Sequence, residues 1–170
     1  MSGSVERPLL AALAALGIDW TLIEHEPVFT VEESADLHAR LLGVHTKNLF
    51  LKDAGSAYWL VTAPHDASID LKALAPLIGA KKLSFGKADE MFRLLGVTPG
   101  AVTPLAALND GGTLVQVVLD TRVATAATAY VHAFRNTATI GLSGADLVAA
   151  LSAWRHSPAV IVVPDRITAA

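Results

Sequence analysis

The chain has 170 residues, of which 52% are hydrophobic and only 17% are charged, and it contains no cysteine. This composition predicts one domain over residues 1–170 with a sizeable core. The lack of cysteine excludes disulfides, thiolate nucleophiles and zinc–cysteine sites. No apolar run reaches the roughly 18 residues of a membrane helix, and the N-terminus lacks a secretory pattern, so we expect a cytoplasmic protein with no membrane partner.

The net charge of −3 is distributed unevenly along the chain. Residues 1–46 carry seven acidic and two basic side chains, whereas residues 47–93 carry seven basic and five acidic ones. Ordinary solvated surface would account for this difference. A local positive patch in the second segment would also suit contact with a short piece of RNA.

The first half of the chain combines helical and extended patterns. Apolar residues at helical spacing, each set followed by glycine, predict two helices, and two apolar runs flanking a D-A-G-S turn predict a β-hairpin. In chain order these elements are a helix over Val5–Leu16, a strand over Trp20–His25, a helix that Thr30 caps and Gly43 closes, and hairpin strands at Leu49–Leu51 and Tyr58–Leu60.

The second half is richer in strand-like runs separated by turn signals. The predicted elements are helices over Asp70–Ile78 and Lys87–Leu95, strands over Ala101–Leu108, Leu114–Leu119, Ala129–Phe134 and Ala138–Leu142, a helix from Ser143 to about Arg155, and a strand over Ala159–Val163. Strands in runs, with helices before and after them, predict an α+β fold. We expect a single domain with a mixed, mostly antiparallel sheet covered by helices.

Three stretches carry groups suited to binding a substrate. Lys47 and Asn48 lie at the entrance of a predicted buried strand, where a cation needs an acidic or anionic partner unless it extends to solvent. The segment Gly96–Pro104, with a type II turn expected at Pro99 and Gly100, exposes backbone N–H groups that bind oxygen atoms, or is only a connecting turn. His132 lies in a predicted strand, with Asn136 in the following turn; a hydrogen-bonded core histidine is the alternative for His132.

Other kinds of chemistry have little support. The six histidines show no metal-ligand spacing, and the sequence has neither a G-x-S-x-G elbow nor a phosphate-binding G-x-x-x-x-G-K-[ST] loop. These patterns disfavour a serine triad and nucleoside triphosphate chemistry. We therefore expect no metal and no cofactor.

Four segments in the same order, E-H-E-P-V-F-T-V-E-E, T-K-N-L-F-L-K-D, G-V-T-P-G-A-V-T-P and V-H-A-F-R-N-T-A-T, resemble the YbaK/ProX family of aminoacyl-tRNA editing domains. The resemblance spans roughly Leu10–Val163, and K-N-L-F-L is similar to the freestanding PrdX (ProXp-ala) branch. It implies that, after prolyl-tRNA synthetase has wrongly attached alanine to tRNA(Pro), this protein hydrolyses the ester in trans. Such editing is needed because a few missing methylene-sized groups give a proline pocket only ~1 to 3 kcal/mol of discrimination.

The resemblance also implies roles for individual residues. Lys47 and Asn48 would bind the terminal adenosine and its phosphate, with Lys47 as a charge-assisted donor. The backbone of Gly96, Pro99 and Gly100 would face the ester carbonyl and position the attacking water, which the terminal ribose hydroxyl assists. His132 would line the amino-acid pocket or help to orient the substrate. The further substrate-binding residues would be Phe29, Thr30 and Val31 in the pocket wall, Asn136 near the pocket, and Lys81 and Lys82 on the acceptor stem.

The implied partners are the acceptor end of mischarged tRNA(Pro) and prolyl-tRNA synthetase. Two alternatives remain open at this point. One is a deacylase of the same family that removes cysteine or serine, and the other is a non-catalytic module that binds tRNA or the synthetase.

Overall fold

The computed structural model describes residues 5–26 and 42–166 of the chain. These residues form eight strands, five α-helices and two 3₁₀ helices. The expected helix capped by Thr30 lies outside the described residues, as do the candidate pocket residues Phe29, Thr30 and Val31.

The strands and helices agree with most of the predicted elements. The strands are β1 Thr21–Glu24, β2 Val44–Asp53, β3 Tyr58–Pro64, β4 Leu83–Phe85, β5 Val115–Asp120, β6 Ala129–His132, β7 Ala138–Leu142 and β8 Ala159–Ile161. The helices are α1 Arg7–Ala15, α2 Leu71–Leu77, α3 Ala88–Leu95, α4 Thr121–Ala124 and α5 Gly144–Ala153. The sequence patterns did not predict β4 and α4, because three or four residues are too few to show a period.

All eight strands belong to one sheet, in the order β1-β7-β6-β2-β3-β5-β8, with β4 added on β2. The pairs β1–β7, β6–β7, β2–β3 and β2–β4 are antiparallel. The pairs β2–β6, β3–β5 and β5–β8 are parallel. The predicted fold, a mixed and mostly antiparallel sheet with helices packed on it, is confirmed.

Hydrophobic side chains fill both faces of the sheet, because successive residues of a strand point to opposite faces. Phe50 of β2 packs with α3 residues and Val102 on one face. Its neighbour Leu51 packs with Ala67 and Leu74 on the other face. A further cluster, which includes residues of α1, α5, β6 and β7, continues the first face across the sheet. The alternation along β2 therefore places neighbouring residues of this strand on opposite faces of the sheet.

The segment after α3 differs from its prediction. The expected strand Ala101–Leu108 is wrong: 3₁₀ helices occupy Pro99–Ala101 and Pro104–Asn109. Residues 101–107 are all buried, so the segment lacks the alternation of a half-buried strand, and each proline fixes the backbone at the start of a helical turn. The expected type II turn is also wrong, because Gly100 has no positive φ and the Ala101 N–H donates to the Thr98 carbonyl at 2.9 Å.

Candidate functional site

One edge of β2 is left partly open. Its other edge pairs with β3 from Thr46 to Lys52. On the open edge β6 pairs only with Val44 and His45, and β4 only with Leu51–Asp53. No described strand pairs with residues 46–49 on this edge, and we call this opening the β2 gap. In the described part of the chain no strand closes this opening, so side chains from both faces of the sheet border it.

Lys47 and Asn48 both lie in the β2 gap, but their side chains point to opposite faces. The Lys47 ammonium donates to the Ala67 carbonyl, in the loop after β3. The Asn48 amide instead contacts Val102, in the segment after α3. Consecutive strand residues must diverge in this way. The two side chains therefore border the β2 gap from opposite faces of the sheet.

The Lys47 ammonium can donate to further acceptors. An ammonium group has three N–H donors, and the Ala67 carbonyl accepts only from one of them. On the same face, two positions before Lys47, the His45 ring stacks on the Tyr130 ring with centroids 4.8 Å apart. This stack joins β2 to β6 at the point where the two strands separate. The Lys47 ammonium thus lies just beyond the stacked rings of His45 and Tyr130.

Asn48 has its side chain fixed by two hydrogen bonds. Its Nδ2 donates to the Val102 carbonyl at 3.1 Å, and its Oδ1 accepts from the Thr62 hydroxyl at 2.6 Å. Thr62 lies directly opposite on β3 and is fully buried. Asn48 therefore connects two strands of the sheet to the segment that follows α3.

That segment begins where Gly96 ends α3, as predicted. Gly96 adopts φ 70°, a left-handed conformation that glycine reaches without the penalty of a Cβ atom. Gly100 is exposed, and a Cβ added to it would lie 4.0 Å from the Asn136 amide nitrogen. The structure therefore brings Gly100 next to the turn between β6 and β7, where Asn136 was predicted.

His132 ends β6, in the strand predicted for it, with its side chain on the face that carries Lys47. The strand register places it opposite Thr139, whose hydroxyl lies 2.9 Å from Nε2 of His25. Nδ1 of His132 is buried without a hydrogen-bond partner among the described residues. Burial, with a smaller contribution from His25, lowers the pKa of His132, so the ring is neutral at pH 7. A buried, unpartnered nitrogen suits a ligand atom that completes the hydrogen bond.

Arg135 fixes the turn that follows His132. Its guanidinium contacts Glu6 of the N-terminal segment at 2.7 Å and Glu24 of β1 at 2.8 Å. It also donates to the Thr137 hydroxyl at 2.7 Å. The two carboxylates raise the pKa of Arg135, although burial opposes them. These contacts of Arg135 hold the turn that carries Asn136 in place against the N-terminal segment and β1.

Lys81 and Lys82 lie away from the other predicted residues. The Lys81 N–H donates to the Asp53 carboxylate, at the far end of β2. Six residues of strand separate Asp53 from Lys47, or about 20 Å. Both lysines are exposed. They are therefore placed for contact with a part of a ligand remote from the β2 gap.

The structure gathers Lys47, Asn48, Gly100, His132 and Asn136 around the β2 gap. Sequence reasoning missed the groups that hold them: Thr62 and Val102 beside Asn48, Ala67 beside Lys47, and Thr139 beside His132. Strand register was the missing information, because each partner is distant in sequence. Within residues 5–26 and 42–166 no cluster of His, Asp and Glu could hold a metal ion. Across the same residues, no helix has the length and hydropathy to span a membrane.

Comparisons with known proteins place this geometry in a family. The aminoacyl-tRNA editing domain family matches residues 25–150, which include every residue around the β2 gap. The chain is 41% identical to the prolyl-tRNA editing protein ProX of Acetoanaerobium sticklandii, over 86% of this chain and 90% of that protein. It is 40% identical to prolyl-tRNA synthetase associated domain-containing protein 1 of Bos taurus, over 95% of this chain and 97% of that protein. The chain belongs to the aminoacyl-tRNA editing domain family, which confirms the resemblance.

Solved structures show the same fold. The crystal structure of a hypothetical protein, APE2540, superposes with a TM-score of 0.74, covering 91% of this chain and 97% of that one at 24% identity. At this identity the likeness concerns the fold alone. The overall fold of this chain is thus shared with other proteins.

Proposed function

We propose that this protein is a trans-editing deacylase that hydrolyses the ester of Ala-tRNA(Pro). The observation that carries the proposal is the β2 gap. A cation, an exposed backbone segment and a neutral histidine lie around this opening, and Nδ1 of the histidine has no hydrogen-bond partner in the part of the chain that the structure describes. Membership of the editing-domain family supplies the substrate class. The relatives named for prolyl-tRNA editing and for prolyl-tRNA synthetase association support tRNA(Pro) as the carrier.

The reaction needs little machinery because an aminoacyl ester is already activated. Water attacks the ester carbonyl, and the negative charge that develops on the carbonyl oxygen requires hydrogen-bond donors that are already in position. We assign this role to the backbone N–H groups within Gly96–Gly100 other than Pro99, which has none, and Gly96, whose N–H donates to the Phe92 carbonyl at 2.9 Å. The terminal ribose hydroxyl of the substrate assists the water, so the protein needs no general base of its own.

Lys47 and Asn48 have separate roles in this proposal. Lys47 contacts a phosphate of the tRNA 3′ end with the ammonium donors that Ala67 leaves over. Asn48 is a positioning residue: its two hydrogen bonds fix the segment after α3 against the sheet. This division follows from the opposite directions of the two side chains.

His132 lines the amino-acid pocket in the proposal. The α-ammonium group of an aminoacyl ester is a strong donor, and a neutral imidazole can accept a hydrogen bond at one nitrogen. The buried Nδ1 of His132, which has no hydrogen-bond partner among residues 5–26 and 42–166, supplies that acceptor. Asn136, next to Gly100, closes the same side of the opening. The pocket recognises the ammonium of alanine and limits the size of the side chain beside it.

The test is deacylation of a panel of substrates. Purified protein is incubated with Ala-, Cys-, Ser- and Pro-tRNA(Pro), and the loss of each ester is followed against a control without protein. We expect rapid loss of Ala-tRNA(Pro) and intact Pro-tRNA(Pro). Faster release of cysteine or serine would reassign the specificity within the family. Preferential release of proline would refute editing, and binding without hydrolysis would identify a non-catalytic module.

The setting of the reaction completes the proposal. The protein acts in the cytoplasm, after prolyl-tRNA synthetase has released or presented its mischarged product. Pull-down of the synthetase, with and without tRNA(Pro), distinguishes direct docking from capture of a freely diffusing substrate.

A further inference from the structure

Strand β4, which borders one end of the β2 gap, carries an exposed aromatic ring, and basic residues precede and follow this ring in the sequence. Phe85 is 64% exposed, although it belongs to β4, a strand hydrogen-bonded to β2. The basic residues around it in sequence, Lys81, Lys82 and Lys87, are all exposed. Proteins bind single-stranded nucleic acid with this combination, because an aromatic ring stacks on a base while cations contact the phosphates. We call Phe85 and these three lysines the β4 surface.

The β4 surface lies at a suitable distance from the proposed catalytic residues. Phe85 is directly opposite Leu51 of β2, and so it belongs to the face that also carries Lys47. Four residues of strand separate Lys47 from Leu51, or about 13 Å. Stacked nucleotides rise about 3.4 Å each, so the separation corresponds to roughly four nucleotides. A strand with its terminal phosphate at Lys47 would bring a preceding base to Phe85.

Two carboxylates near the β4 surface, Asp53 and Glu90, each accept several hydrogen bonds, including those from the backbone N–H groups of Lys81 and Lys87. Asp53 accepts hydrogen bonds from the backbone N–H groups of Gly55, Ala57 and Lys81. Glu90 accepts from the Tyr58 hydroxyl, the Lys52 ammonium and the Lys87 N–H. In the described part of the chain, the side chains of Lys81, Lys82 and Lys87 form no ion pair. These three cations therefore remain available to phosphates.

Charge also favours this direction for the RNA over the opposite one. Residues 81–93 carry four basic and two acidic side chains. On the β6 side of the β2 gap, Glu24 is paired with Arg135 at 2.8 Å and Glu26 is exposed. An RNA backbone leaving the β2 gap is attracted by the basic side chains of residues 81–93 and repelled by Glu26.

We propose that Phe85 stacks on a base of the single-stranded 3′ end of the tRNA, while Lys81, Lys82 and Lys87 contact the neighbouring phosphates. The identity of the RNA rests on the proposed function, but the stacking does not depend on hydrolysis. Lys81 and Lys82 were expected to contact the acceptor stem. The structure adds Phe85 and Lys87, and it assigns the single-stranded end rather than the stem to this surface.

The experiment measures equilibrium binding of uncharged tRNA(Pro), either intact or without its single-stranded 3′ end. Phe85→Ala should weaken binding of intact tRNA about tenfold, within the range known for base–aromatic stacking. The same variant should bind the shortened tRNA as tightly as the wild type does. Phe85→Trp should restore binding of the intact form, because it keeps an aromatic face. Val162→Ala is the matched control, since Val162 is 70% exposed and follows β8, at the other edge of the sheet.

The outcomes separate this proposal from the proposed function. An equal loss for intact and shortened tRNA, or no loss for either, would overturn stacking on the 3′ end. If Phe85→Ala affects only the intact form while the wild type leaves Ala-tRNA(Pro) uncleaved, the stacking stands and the deacylase proposal fails. Thermal unfolding of each variant shows that the fold is retained, as expected for an exposed position.

Discussion

The basic side chains on the two sides of the β2 gap differ in whether they pair with carboxylates. On the β6 side, Arg135 is held between Glu6 and Glu24, and the turn after His132 is fixed by these contacts. On the β4 side, Lys81, Lys82 and Lys87 extend into solvent, and the nearby Glu90 is bonded to other groups. The same class of side chain thus stabilises structure on one side and is available to an anion on the other.

This difference shows why residue counts alone do not locate an RNA surface. A guanidinium that is already bonded to two carboxylates offers little charge to a phosphate, however close it lies. A lysine without a carboxylate partner keeps its full attraction. The β6 side is therefore suited to holding the amino-acid end of the substrate rigidly, and the β4 side to following a flexible strand.

The largest effect is expected from breaking the ion pairs on the β6 side. Arg135→Ala breaks the ion pair of this guanidinium with Glu6, whose side chain is only 2% exposed. Such changes destabilise proteins by about 3 kcal/mol or more, measurable as the free energy of unfolding in urea. Glu24→Gln removes the 72% exposed partner of the same arginine and should cost under about 1 kcal/mol. Similar losses in the two variants would contradict the structural role assigned to Arg135.

Lys47→Ala tests the cation in the β2 gap itself. We expect kcat/KM for Ala-tRNA(Pro) to fall about 100-fold or more, as when one catalytic donor is removed from a preorganised site, with the thermal unfolding temperature little changed. Lys72→Ala, at an exposed lysine of α2, is the control for loss of a positive charge. Unchanged turnover in the Lys47 variant would remove this residue from the mechanism.

Asn48→Ala tests whether the sheet positions the segment after α3. The variant leaves the buried Thr62 hydroxyl and the Val102 carbonyl without their partner, at a cost of about 1 to 3 kcal/mol in stability. A positioning role also predicts a lower kcat with little change in KM. Adding Thr62→Val should recover part of the stability, because the orphaned hydroxyl is removed, but not the kcat. Recovery of both the stability and kcat would mean that Asn48 stabilises the fold and does not position the segment after α3.

The smallest effect is expected in acid, on the β4 side. The hydrogen bonds from Tyr58, Lys87 and Lys52 lower the pKa of Glu90 to about 2, from an ordinary value of 4.5. The unfolded chain therefore binds a proton at Glu90 before the folded protein does, so the stability due to Glu90 is full above pH 4.5 and is lost towards pH 2. In unfolding experiments across this range, Glu90→Gln should show a shallower loss of stability than the wild type. Parallel pH profiles would contradict the pKa shift.

Local sequence signals were sufficient for most elements that have a clear period or cap. The hairpin of β2 and β3 follows from two apolar runs around a turn, and the start of α5 follows from Ser143, whose hydroxyl accepts from the Asp146 N–H at 3.0 Å. The same reasoning failed at residues 101–108. Continuous burial there concealed a 3₁₀ segment, since a buried strand and a buried helical turn have similar composition.

The candidate site was predictable only as a set of residues. The ordered motifs identified Lys47, Asn48, Gly96–Gly100 and His132, and membership of the editing-domain family is confirmed. Their assigned roles stay predictions. The motif K-N places two polar residues side by side in the sequence, and the pleat of β2 directs their side chains to different faces of the sheet.

By itself, the sequence determined the family, the class of fold and the residues that the family motifs contain, because each of these depends on order and spacing along the chain. Tertiary structure alone decided how those residues meet. The β2 gap exists because β6 and β4 pair with different ends of one strand. Asp53 and Glu90 accept hydrogen bonds from backbone N–H groups, Tyr58 and Lys52, and form no ion pair with the ammonium groups of Lys81, Lys82 or Lys87. Strand register and charge pairing join residues distant in sequence, so no local pattern encodes them.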